Sequence, residues 1–238
     1  LIKGVEDMSK MIEDPNHDEK YYDDITGAGL DADAAVKGEQ EEIDFIRKSN
    51  LYTKVRRSAV AGHKVIPIRW VRVNKGTEDK PDVRCRLVAK EIKRYADDTL
   101  FAATPPLESI KVLIALAASK RWKIVHIDIK RAYFNAKALR DVYVELDGKD
   151  KRGDEEDMVG NYAMYGTRDA ASSWEACYTD MMKKGGFEQG KFTPCVFRKG
   201  ATVVTVHGDD FTITGPDDGD ADIHAHISKT FEVKIQEV

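Results

Sequence analysis

Residues 65–74 read V-I-P-I-R-W-V-R-V-N, with apolar and polar positions taking turns. That period of two predicts a strand, and the polar stretch G-T-E-D-K-P-D after it turns the chain into a return strand at 85–90. The spacing then changes. Leu107, Ile110, Leu113, Ile114 and Ala117 form one stripe of a helix over 107–120, entered after Pro105-Pro106. In W-K-I-V-H-I-D-I (122–129), Val125, Ile127 and Ile129 share one face of a strand, and V-Y-V-E-L (142–146) predicts another. A helix over 169–184 ends at Gly185-Gly186. Strands follow at 195–199, 201–207 and 211–214, the last two flanking a tight turn at Gly208-Asp209-Asp210. A helix over 221–231 precedes a strand that starts at Glu232. Near the beginning, Ile43, Ile46 and Leu51 predict a short helix within 41–52. Residues 1–40 read as an acidic, Gly/Asp-rich linker or lead-in, and 148–157 as a charged loop. The pattern predicts an α+β fold, an antiparallel sheet with helices packed on one face, occupying residues 41–238.

Composition narrows the class. At 238 residues and 42% hydrophobic, the chain can bury a core, and no run approaches the ~18 apolar residues of a membrane span. The first residues lack the apolar stretch of a secretory signal, so an intracellular protein is expected, in a cytoplasmic particle or the nucleus and not secreted. Cys85, Cys177 and Cys195 are scattered, which fits reduced thiols better than a disulfide framework or a zinc site. The net charge of −4 hides a segregation: residues 51–140 hold 21 basic and 8 acidic residues, and both flanks are acidic. A basic middle of this kind suits a polyanion-binding surface as well as it suits a solvated face.

The candidate chemistry lies in three carboxylates. Asp209 and Asp210 stand side by side in the tight turn, where adjacent acids repel and seldom help a fold. Taken alone, the pair reads as turn chemistry, a type I′ turn using the φ tolerance of Asp. Asp128, near the end of an apolar strand that can pair beside the hairpin, changes the balance. Three acids at one sheet edge suit two Mg²⁺ ions about 4 Å apart, for in-line displacement on a triphosphate. His224 and His226, without a third ligand, read as exposed helix or loop residues rather than a metal site.

Six blocks, in order, make the chain resemble the reverse transcriptase domain of copia-type long-terminal-repeat retrotransposons. W-V-R-V-N-K-G-T-E-D-K-P-D-V-R-C-R-L-V-A-K resembles the fingers hairpin, and L-F-A-A-T-P-P-L-E-S-I the segment that follows it. H-I-D-I-K-R-A-Y-F-N is similar to D-V-K-T-A-F-L-N, and Y-A-M-Y-G-T-R-D-A-A-S-S-W to L-Y-G-L-K-Q-A-P-R-x-W. G-G-F-E-Q-G-K-F-T-P-C-V-F resembles G-F-x-x-x-x-x-D-x-C-V-F, and V-H-G-D-D-F stands where the family has Y-V-D-D. The resemblance implies a fingers–palm polymerase that extends a primer on an RNA or DNA template with deoxynucleoside triphosphates and two Mg²⁺ (Mn²⁺ as substitute). It implies metal ligands at Asp128, Asp209 and Asp210, with the backbone carbonyl of Ile129 as a further one. It places Tyr133 as the aromatic gate against a ribose 2′-hydroxyl, a position that would otherwise read as core. Arg86, Lys90 and Arg168 become nucleotide-binding residues, and Trp174 packs the palm helix.

Several positions depart from the pattern. Asp169 stands where the family has Gln, an acid that would weaken binding of an anionic substrate; Ala171 replaces Pro, Ala136 replaces Gly, and His207-Gly208 replaces Tyr-Val. The family's primer-gripping hairpin, thumb and RNase H domain would lie beyond Val238, so the reading is fingers and palm within a longer Pol polyprotein that also carries integrase. Two rivals remain. Gly-Asp-Asp is the usual signature of RNA-dependent RNA polymerases, which lack a bulky aromatic at the position of Tyr133. Asp169 and the missing thumb suit an inactive remnant that at most binds nucleic acid.

Overall fold

The structure, a computed structural model, describes residues 20–77, 79–91, 102–151, 157–162 and 165–237. The first half of the expected lead-in, part of the segment before the 107–120 helix, residues 152–156 of the charged loop and Ala163-Met164 of the Y-A-M-Y-G block lie outside them. The chain divides into two compact units. One holds the described residues up to Phe45 together with Trp70–Leu87, and the other holds Ile46–Arg69 and the chain from Val88 onward.

In the first unit, helix α1 (Ala32–Lys48) lies against a hairpin of β3 (Ile68–Asn74) and β4 (Val83–Ala89). Gly38 permits the close approach: a Cβ there would sit 2.9 Å from the Val83 carbonyl and 3.0 Å from Cys85 Sγ. Arg72 pairs with the buried Glu39 at 2.5 Å and lies over the Tyr21 ring. The helix starts well before 41, so the linker expectation fails for residues 32–40. Asp31 accepts a bond from the Ala34 N–H and starts the helix, and the Ala-rich run after it has high helix propensity. Residues 20–31 are also built in: Asp23 is buried and accepts the N–H groups of Ile25, Thr26 and Asn74.

The second unit carries two sheets. A four-stranded sheet runs in the order β1 (Tyr52–Val55), β7 (Asp157–Tyr162), β6 (Lys137–Glu145), β2 (Val65–Ile66). The strand expected over 65–74 is split at Pro67, which has no N–H for a ladder; its carbonyl takes the Lys90 N–H instead. The six-stranded sheet is antiparallel, in the order β12 (Val233–Glu237), β5 (Ile124–Ile129), β11 (Asp210–Thr214), β10 (Thr202–His207), β9 (Val196–Lys199), β8 (Glu188–Gln189). Its buried face presents Val125, Ile127, Ile129, Phe197, Val204, Val206, Phe211 and Ile213. Helices α3 (Ala170–Lys184) and α4 (Asp217–Thr230) close that face with Trp174, Tyr178, Met181, Met182, Ile223 and Ile227. Helix α2 (Leu107–Lys120) rests beside β10 and β11 and buries Leu113 and Ala117. The α+β expectation, with an antiparallel sheet and helices packed on it, holds.

Candidate active site

Strand β5 alternates strictly, so burying Val125, Ile127 and Ile129 turns His126 and Asp128 to the other face. Across from it, β11 pairs in register with Asp210 opposite Asp128 and Thr212 opposite His126. The Ile129 N–H donates to the Asp209 carbonyl at 2.9 Å. That bond flanks the Asp128–Asp210 pair, which is therefore the close, non-hydrogen-bonded kind, with Cα atoms about 4.5 Å apart and side chains near each other.

The turn between β10 and β11 has two residues, Gly208 and Asp209, closed by the pair His207–Asp210. Gly208 has φ +63° and Asp209 has no positive φ, the type II′ arrangement with glycine at the first central position rather than type I′. Asp210 is thus the first residue of β11, not part of the turn. The Trp174 indole N–H donates to the Gly208 carbonyl at 2.7 Å, and Trp174 is itself buried against Tyr178 and Phe231. The turn is held from two sides by groups fixed in the core.

The result is a gathering of like charges. Asp128, Asp209 and Asp210 each offer an oxygen, and these oxygens lie within 4.8 Å of one another, at partly exposed positions. Three carboxylates at such range repel unless a cation sits among them. All-oxygen, half-open sites suit hard divalent cations such as Mg²⁺ or Mn²⁺. The donor set fits the cations expected from the sequence. It is the one such group of acids, histidines and cysteines among the described residues.

The other candidates are placed as follows. Tyr133 lies in a 3₁₀ turn (Ala132–Asn135) just after β5, half-buried, edge-on to Tyr165 at 5.0 Å and packed on the core. Arg168 is half-buried at the entrance to α3, and its N–H donates to Glu91. Lys90 is exposed at the end of β4, with its N–H on Pro67. Arg86 is exposed on β4 in the first unit. The histidines of α4 are half-buried rather than exposed, and His226 Nε2 bonds the Met181 carbonyl at 2.8 Å, which ties it to packing.

Asp169 corrects the sequence reading. Its side chain is fully buried and pairs with Arg140 Nη2 at 3.1 Å; the same guanidinium bonds Glu91. An acid turned inward onto an arginine is not offered to a nucleotide, so the expected repulsion does not arise from this rotamer. Gly166, φ +85°, stands where a Cβ would lie 1.9 Å from the Ala89 carbonyl, so only glycine lets this segment lie against β4. Glu91, Arg140 and His126, which touches Asp210, were not singled out by the sequence. Their side-chain partners are distant in the chain, which local spacing does not reveal.

The family profile described as reverse transcriptase (RNA-dependent DNA polymerase) matches residues 50–237. The retrovirus-related Pol polyprotein from transposon TNT 1-94 of Nicotiana tabacum is 27% identical over 212 residues, covering 84% of this chain; the chain spans 16% of that relative's length. A crystal structure of prototype foamy virus protease-reverse transcriptase aligns with 85% of this chain and 23% of that one, at 14% identity and a TM-score of 0.47. A profile match across most of the chain, with the three acids of the sequence blocks gathered at one end of the inner strands β5 and β11, makes this chain a member of the reverse transcriptase family, of the copia-type kind that its blocks resemble.

Proposed function

We propose that the chain is the catalytic part of an RNA-directed DNA polymerase belonging to a retrotransposon Pol polyprotein. It would add deoxynucleotides to a primer on an RNA or DNA template. The observation that carries the reading is the convergence of Asp128, Asp209 and Asp210 to within 4.8 Å on the open face of the sheet. Asp128, Asp209 and Asp210 would hold two Mg²⁺ ions, with the Ile129 carbonyl as a further oxygen. When bound, the ions supply charge neutralisation for the triphosphate and activation of the primer hydroxyl.

The chain's own residues do the rest in this proposal. The rigid turn under Trp174 and Ile129 holds the acids without rearrangement, so the positioning cost is met on folding. Tyr133, five residues after Asp128, would lie under the incoming sugar and exclude a 2′-hydroxyl. Arg168, Arg86 and Lys90 would contact the triphosphate, Arg through its bidentate fork. The basic segment 51–140 would track phosphates of the template–primer duplex, which makes binding weaken steeply with salt. The remaining parts of the polyprotein, RNase H and integrase among them, are the partners this reading expects.

The test is primer extension by the polyprotein containing this chain, with deoxynucleotides or ribonucleotides. Wild type extends with deoxynucleotides, and Asp209→Asn loses activity by roughly a thousandfold, about 4 kcal/mol. Tyr133→Ala admits ribonucleotides. Equal use of both substrates by wild type would favour the RNA polymerase alternative. Failure with both would favour the remnant reading.

A further inference from the structure

His126 occupies a place the proposed reaction leaves unexplained. It is two residues before Asp128 on β5, on the same face, and directly opposite Thr212 on β11. Its Nε2 lies 3.2 Å from Asp210 Oδ1, with His126 34% and Asp210 44% exposed. The other ring nitrogen, Nδ1, faces the Thr212 hydroxyl oxygen at 3.5 Å. The ring therefore bridges diagonally from one acid of the cluster to a hydroxyl further along the same strand. It stands outside the group whose ligand atoms lie within 4.8 Å of one another, which holds the three aspartates. It touches one member of that set, Asp210, from two residues further back along β5.

We infer that His126 is a positioning residue for Asp210. The Nε2–H tautomer donates to Oδ1 and accepts a hydrogen bond from the Thr212 hydroxyl at Nδ1, which fixes the ring plane and, through it, the rotamer of the Asp210 carboxylate. A carboxylate on a strand's first residue, next to a turn and almost half exposed, is otherwise free to swing among rotamers. Holding one oxygen lowers the ordering cost of closing the three acids around a cation. Outer partners of metal-holding groups are worth about 10–100-fold in metal affinity. His126 acts through Asp210 and touches no reacting atom. The inference rests on the metal reading of the three acids.

Mn²⁺ binding to the unmodified chain, measured by calorimetry and by the electron paramagnetic resonance of free Mn²⁺, tests it without any polymerase assay. Variants are His126→Leu, His126→Gln, and Asp210→Asn as the control for the metal reading. His126→Leu should bind Mn²⁺ about tenfold more weakly with its melting temperature kept, and His126→Gln, which retains an N–H donor of similar reach, should recover most of the loss. A merely structural role would move the melting temperature and leave the affinity of the folded protein alone. If wild type binds, Asp210→Asn weakens binding, and His126→Leu binds as wild type does, the positioning role is wrong and the metal reading stands. If wild type does not bind Mn²⁺, both are wrong.

Discussion

Two groups of acids in the second unit are built in opposite ways. Asp150 is fully buried and surrounded by opposite charge and donors: Arg47 at 2.7 Å, Lys54 at 3.3 Å and the Tyr52 hydroxyl at 2.5 Å. Burial, with Asp150 beside it, pushes the Tyr52 phenol up. Asp128, Asp209 and Asp210 are half exposed and gather with one another, with an imidazole at the edge. The first arrangement satisfies a charge inside the protein and ties the chain near Arg47 to the segment after β6. The second leaves negative charge concentrated where solvent and ions can reach it. Asp169 belongs with the first group: sequence position suggested a nucleotide contact, and Arg140 makes it a buried partner. The lesson is that an acid's neighbours, more than its motif, say whether it serves the fold or an outside cation.

Neutralising a member of each group should separate them. Asp150→Ala strands Arg47 and Lys54 and should cost about 3 kcal/mol, since breaking a buried pair is strongly destabilising. For a chain of this size that is a fall of roughly 6–12 °C in melting temperature. Asp209→Asn in the same calorimeter should leave the metal-free melting temperature unchanged or raise it, because it relieves repulsion. An equal loss for both would erase the distinction.

Trp174→Phe sharpens the comparison from the side of the turn. The N–H to the Gly208 carbonyl goes and the smaller ring leaves a gap in the core, costing about 2 kcal/mol together. Denaturant unfolding measures the cost. Hydrogen exchange should show a faster Ile129 amide, whose partner is the carbonyl of Asp209 in the same turn.

Asp220 gives the smallest effect and a pH signature. Burial, with Asp217 close by, raises its carboxyl from 3.8 to about 6, with Lys123 acting against this and Asp218 and Glu237 adding to it. A folded-state value above the unfolded one means that stability from this group is full below 3.8 and is lost as pH rises through 6. Asp220→Asn should therefore be the more stable protein at pH 7.5, by about 1 kcal/mol after allowance for solvent screening, and the two should converge near pH 4. Asp23 works in the other direction: backbone N–H groups of Thr26, Asn74 and Ile25 lower it to about 2, so its contribution is present above 3.8 and lost as pH falls through 2. Denaturation curves from pH 4 to 8 check the Asp220 effect.

Much of this was legible in the residues. Alternation marked β5 almost residue by residue, because one face is buried and the other is not; the stripe of α2 marked its span, although Leu107 and Ile114 lie exposed and Leu113 and Ala117 carry the burial. Gly185-Gly186 marked the end of α3 because a helix needs glycine-like freedom there, and Gly186 takes φ +80°. The sequence missed β7, whose D-M-V-G-N-Y has too little alternation, and the first turns of α1, where aspartates among alanines resembled a turn. Asp128 could be set beside the hairpin from the shared chemistry of the three acids, and the pairing of β5 with β11 puts it there. His126 could not, since its role depends on a diagonal contact across β11, and Arg140 could not, since Glu91 and Asp169 reach it from distant segments.

The central claim is that the three acids hold divalent cations. Crystals of the chain grown or soaked in Mn²⁺ test it by anomalous scattering at the manganese edge. The account predicts anomalous peaks among the carboxylates of Asp128, Asp209 and Asp210, with oxygen distances of about 2.2 Å, that vanish in Asp128→Asn. Peaks elsewhere on the chain, or none at these acids at millimolar Mn²⁺, would contradict it.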